Sequence, residues 1–276
     1  METIGAVDVW IQPHTKECAG RWSAEMAHVL KLFGRETTLA GISIEEMVAE
    51  MDQAGIEKAV MSALMDPKGH IVTNEFVAEV INKYPGRFIG QFAYDPRTGM
   101  KAVRELENFV REFNFGGLKI EPFIFHTPPN DKVYYPLYAK CCELEIPVTI
   151  QVGHTAPLLP SATGKPIYLD EVALDFPELK IVAGHIGWPW TEEMISIAWK
   201  HPNVYIDTSA HTPKHYPPAF VHFLKTFGQD KSLFATDWPL LPFSRPMQEI
   251  DSLGLSRSIK RKFLRENALK VFPFRE

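Results

Sequence analysis

The chain has 276 residues, 45% of them hydrophobic, 23% charged and 12% aromatic, a globular composition that excludes disordered, collagen-like and coiled-coil classes. Its 29 basic and 34 acidic side chains leave a net charge of −5, so no basic field is available to gather nucleic acid or anionic lipid. Three cysteines, Cys18 and the adjacent Cys141 and Cys142, match neither a disulfide framework nor a metal knuckle, and neither a leader nor an 18-residue apolar run is visible; the expectation is a cytoplasmic protein with no membrane partner.

Short apolar runs alternate with segments of helical period along the whole chain. Residues 4–10 read as a strand, and 13–42 follow as a long loop insertion carrying Arg21, Trp22, His28 and Arg35. A loop of that length is either a lid or pocket wall, or a solvated excursion. The pattern IEEMVAEMDQA predicts a helix over 44–54, with Ser43 as its N-cap and Gly55 just past its end. Strands follow at 58–64, 88–93 and 118–122, separated by helices at 72–84, which Pro85-Gly86 stops, and at 101–113. The second half continues with strands at 148–152, 180–183, 204–207 and 232–235 and helices at 133–144, 169–176, 191–199, 218–227 and 256–271.

Eight strand and helix units of about 34 residues each predict an α/β fold of the (β/α)8 TIM-barrel type, one domain over 1–276. The doubly wound rival calls for a glycine-rich turn after the first strand, and Asp8-Val9-Trp10-Ile11-Gln12 has none. In a barrel the chemistry sits where strands end. Those positions hold Trp10, Gln12, Lys119, Glu121, His154, His185, Ser209, His211 and Asp237, with His126 a little beyond the fourth strand. Many of the 22 prolines lie in the same loops and stiffen the rim. Trp22, Trp188, Trp190 and Trp238 accompany them, so the walls suit a planar, apolar-faced substrate whose carboxylate Arg21, Lys119 or Arg245 could hold. The same aromatics could instead cap the barrel or form a subunit contact, as in a homodimer.

Four segments together carry a resemblance: Gly184-His185-Ile186-Gly187, Thr236-Asp237-Trp238-Pro239, Ile56-Glu57-Lys58-Ala59-Val60 and Glu266-Asn267-Ala268. The chain resembles the amidohydrolase superfamily, in the branch of aminocarboxymuconate-semialdehyde decarboxylase and pyrone-dicarboxylate lactonase. The resemblance implies one divalent metal, Zn²⁺ or Mn²⁺, on His154 and Asp237, with His185 as general base. It also exposes a departure. Where the family's first strand ends in Asp-x-His-x-His, this chain has Trp10 and Gln12; an indole has no lone pair for a metal and an amide oxygen is a weak substitute. Gln12 is then the candidate third ligand. A metal-independent site is the alternative, with Asp237 activating water, His185 or His154 moving protons, and Lys119 either holding a carboxylate or simply paired with Glu121.

Three functions follow as expectations. The first is hydrolysis of a small cyclic or aromatic carboxylic acid or lactone by water activated at Asp237 and His185. The second is metal-dependent decarboxylation of an aromatic or muconate-type acid. The third is a barrel that binds a ligand without catalysis, suggested by Trp10 at a former metal position. Catalysis is assigned to His185 and Asp237, and substrate contact to Lys119, Arg21, Trp10, Trp188, Trp238, His126 and His211.

Overall fold

The segment Ala6-Val7-Asp8-Val9-Trp10-Ile11 is apolar at nearly every position and buried at all six, the mark of a strand covered on both faces. In the computed structural model, which describes residues 4–274, it forms β1 (Ala6–Ile11). There follow β2 (Ile56–Ser62), a small hairpin of β3 (Leu64–Asp66) and β4 (Gly69–Val72), and then β5 (Phe88–Phe92), β6 (Phe115–Ile120), β7 (Val148–Ile150), β8 (Ile181–Ala183), β9 (Val204–Asp207) and β10 (Ser232–Leu233). All but the hairpin join one parallel sheet in the order β1-β2-β5-β6-β7-β8-β9-β10. Between its first and last members the Val9 amide donates to the Phe234 carbonyl at 3.1 Å, the Asp237 amide to Trp10 at 3.0 Å and the Gln12 amide to Trp238 at 3.1 Å. These bonds close the ring, and the predicted (β/α)8 barrel is the fold.

The helices follow their local signals. Ile44–Ala54 starts in a capping box, with the Ser43 hydroxyl accepting from the Glu46 amide and the Glu46 carboxylate accepting from the Ser43 amide, and ends at left-handed Gly55. The apolar sides of such helices pack on the sheet in one continuous core.

Several details differ from the expectation, among them an unforeseen helix at Ser244–Glu249 and a fourth barrel strand that starts at Phe115. The strand predicted over 58–64 starts at Ile56 and ends at Ser62, and the chain then turns back on itself in the β3–β4 hairpin. The helix predicted over 256–271 is Arg257–Arg261 and Asn267–Val271 joined through a π-helical turn, Lys262–Glu266. The 13–42 insertion is largely helical: Lys16–Ala19, Ala24–Leu32 capped by Ser23, and a 3₁₀ turn at Glu36–Ala40. Among the described residues the three cysteines are free, and no helix is long and apolar enough to cross a membrane.

Candidate active site

Local backbone geometry aims the functional side chains. His185, Ala210 and Asp237, each just past a strand, hold positive φ of 60°, 61° and 66°, a region costly for side chains with a Cβ and found mainly where the surroundings enforce it. Gly184 is required for a different reason. A Cβ there would lie 2.7 Å from the Trp10 ring, so the glycine is what lets the indole lie across the barrel mouth.

Two hydrogen-bonded chains result. In the first, the Lys119 ammonium donates to Ser62 Oγ at 3.1 Å and to Gln12 Oε1 at 3.3 Å, and the Gln12 amide nitrogen donates to Asp237 Oδ1 at 2.9 Å. Lys119 also sits 3.6 Å from Glu121 Oε1 and 4.2 Å from the centre of the Trp10 ring. In the second, the Ser209 hydroxyl donates to Asp207 Oδ1, which also accepts the amides of Ser209 and His185. Ser209 has one proton to give, so toward His185 Nδ1, 2.7 Å away, it acts as acceptor. The imidazole therefore carries its proton on Nδ1 and keeps a lone pair on Nε2. Asp8, inside the barrel, binds the Thr236 hydroxyl at 2.6 Å and the Thr236 and Trp10 amides, each at 3.1 Å. It orients the neighbours of the site.

These residues face a cavity of about 380 Å³, within the range of small-molecule sites. Trp10, Gln12, His154, His185, Trp188, His211 and Asp237 all line it. Four expected contacts lie elsewhere. Lys119 is behind Gln12 with its side chain 1% exposed, and it meets the Glu121 partner named for it. Trp238 is buried against Phe243, its indole donating to Glu50 Oε2 at 3.0 Å. Arg21 is held by Glu17 and the Ile71 carbonyl, and His126 is exposed. The remaining wall is mostly apolar. Trp22, Met26, Val29 and Phe33 come from the 13–42 insertion, and Leu64 and Phe123 from the barrel. Glu121 and Gln151 also reach the cavity, and Asp207 and Ser209 supply the support of His185. The signal for that pair was available: Asp207 ends β9 and Ser209 stands two residues beyond it, at the strand end where barrel chemistry gathers.

Burial dominates the electrostatics. It pushes the Asp237 carboxyl up to about 6, against the opposing pull of Lys119 and the Gln12 hydrogen bond. It pushes His185 down to about 3, with His211 and Lys119 adding to the effect, so the imidazole is neutral. Glu121 is raised by the same cause, with Lys119 opposing.

The donor set does not fit a divalent ion. His154 and Asp237 share the cavity, but the Gln12 oxygen is engaged by Lys119 and Trp10 offers no lone pair, while His185, tied to Ser209 through Nδ1, keeps a free Nε2 that is not gathered with the other two into a three-ligand set. Among the described residues no three His, Cys, Asp or Glu side chains gather to hold a metal.

A parallel barrel with polar side chains converging at the C-terminal ends of its strands defines the class of barrel enzymes. The amidohydrolase family matches residues 31–274, and the chain belongs to that family. Gamma-resorcylate decarboxylase of Polaromonas sp. strain JS666 is 26% identical over 285 residues, 83% of this chain and 86% of that protein. Among solved structures, an uncharacterized TIM-barrel protein from Bordetella bronchiseptica superposes with a TM-score of 0.81 at 26% identity, covering 96% of this chain and 97% of that one. The dihydroxybenzoic acid decarboxylase of Polaromonas sp. JS666, solved with manganese and the inhibitor 2-nitroresorcinol, superposes with a TM-score of 0.71 at 20% identity, covering 97% of this chain and 96% of that one.

Proposed function

We propose that the protein is a carboxy-lyase that removes CO₂ from a small aromatic carboxylic acid, with Asp237 as the proton donor. The observation that carries this is the buried Asp237 carboxyl on the wall of a largely apolar, aromatic-sided cavity. Such a reaction adds a proton to the ring carbon that bears the carboxylate. The carbon–carbon bond then breaks, its electron pair returns to the ring, and CO₂ leaves. Asp237, raised to about 6, keeps enough of its acid form near neutrality to deliver that proton and is reprotonated from water. His185 Nε2, held neutral, accepts a hydrogen bond from a ring hydroxyl, which pushes electron density toward the carbon being protonated. The Trp10 and Trp188 faces clamp the ring. Among the described residues no lysine or arginine lines the cavity, so the substrate carboxylate loses its water without gaining an ion pair, and forming neutral CO₂ relieves that cost.

The likeness to gamma-resorcylate decarboxylase supports a hydroxylated benzoic acid as the substrate class. Hydrolysis of a lactone keeps one supporting observation, since Asp237 faces the cavity and its ionised form could take a proton from water. Product analysis separates the two. Hydroxybenzoates incubated with the enzyme should release CO₂ and the matching phenol, and Asp237→Asn should lower kcat by about 10²- to 10⁴-fold with an unchanged melting temperature. Lactone opening without CO₂ release, or full activity in Asp237→Asn, overturns the reading.

A further inference from the structure

We infer that this barrel works without a divalent metal and that the ammonium of Lys119 is its fixed internal cation. A lysine this deeply buried must be paired, and Lys119 is met from several sides: the Trp10 face from β1, Gln12 Oε1 just past β1, Ser62 Oγ from β2, and Glu121 Oε1 just past its own strand. The side chain is not a surface lysine folded inward. It stands on β6, whose register pairs Lys119 with Thr149 of β7, at the centre of the mouth.

Gln12 makes the arrangement directional. Its oxygen accepts from the ammonium and its nitrogen donates to Asp237. Turning the amide to offer oxygen beside Asp237 would place its NH₂ against the NH₃⁺ of Lys119, donor facing donor, with Asp237 left without its bond. The glutamine is thus a relay from cation to carboxylate and is not free to ligate. Trp10 is equally committed, held between the ammonium and Gly184. A dication entering beside Asp237 would meet a neighbouring positive charge, a Glu121 carboxylate already paired with Lys119, and, among the described residues, no three His, Cys, Asp or Glu side chains gathered to hold it. Lys119 acts on Asp237 through the Gln12 bond and through its charge, without lining the cavity, so it is a positioning residue. Its charge supplies permanently, from within the chain, the positive field that a bound ion would otherwise bring.

Manganese titration of the intact protein, purified without chelator and followed by the electron paramagnetic resonance of free Mn²⁺, tests this without any substrate. It stands or falls separately from the choice between decarboxylation and hydrolysis. The expected result is no stoichiometric loss of free-ion signal and no rise in melting temperature as Mn²⁺ is added. One equivalent bound per wild-type chain overturns the inference. The complementary variant, Trp10→His with Gln12→His and Lys119→Met, removes the internal cation and supplies two imidazoles beside Asp237. It should bind one equivalent and melt higher with Mn²⁺ than without. If its circular dichroism shows it folded and it still takes no metal, Lys119 and its partners are not what excludes the ion. If it fails to fold, the wild-type titration decides alone.

Discussion

Asp237 and Asp8 are both buried carboxyls, yet their surroundings give them different work. Asp237 has one wall on the cavity, whereas Asp8 is wholly enclosed and pushed up to about 7 by burial, with the Thr236 hydrogen bonds opposing. In the unfolded chain an aspartate releases its proton near 4. Between about pH 4 and pH 7 the folded state therefore holds a proton the unfolded state has lost, and this residue's contribution to stability falls as the pH rises. Asp8→Asn should remove that part of the slope in a series of melting curves, while Asp207, also pushed up to about 7, keeps its own share. Gly184 offers a second check. Gly184→Ala drives a methyl into the Trp10 ring and should cost about 1–3 kcal/mol by overpacking, seen in denaturant melts, together with a loss of turnover. At this scale His154, His185 and Asp237 were legible as strand-end residues, since barrel topology alone sends such positions to one face. The place of Lys119 was not. Strand position brings a lysine to the mouth but does not say whether its long side chain points into the cavity or behind a neighbour, and that depended on Gln12 and Trp10, more than a hundred residues away in sequence.

The 13–42 insertion shows what changes at the scale of elements. Its length and aromatics mark it as a lid or pocket wall, and the structure makes it wall: the helix Ala24–Leu32 turns Met26 and Val29 toward the cavity. Its helicity has a local cause, the Ser23 hydroxyl accepting from the Met26 amide at 3.3 Å. Met26→Ala enlarges the binding surface without touching Asp237 or His185. It should raise KM by about tenfold with little change in kcat, the separation expected for lost apolar contact, measured by steady-state kinetics on the best hydroxybenzoate. The helix Ile44–Ala54 was legible to the residue because a capping box and a left-handed glycine punctuate it. The β3–β4 hairpin was not, because its first strand continues the apolar run of β2 and its turn, Pro67-Lys68-Gly69, looks like any loop between a strand and a helix. The π-helical turn at Lys262–Glu266 has no composition signal, since the same residues suit an α-helix.

On the scale of the whole molecule, alternation of strands and helices was enough to specify a barrel, because eight short units that are apolar throughout need cover on both faces and a closed ring leaves no edge. The choice of chemistry was harder to read, since it depends on how side chains from distant strands pair. The ring is completed where β1 meets the segment after β10, and the bonds at that seam run through Trp10, Gln12, Trp238 and Asp237 themselves. The Gln12–Asp237 hydrogen bond spans 225 residues of sequence, so it is among the last contacts whose closure entropy can be offset during folding. During synthesis a ribosome must therefore deliver nearly the entire polypeptide before any molecule can hold Asp237 against Gln12. A chain stalled short of its eighth strand lacks the carboxyl on which the Gln12 amide is anchored, so the mouth of the barrel is the part of the molecule that synthesis finishes last.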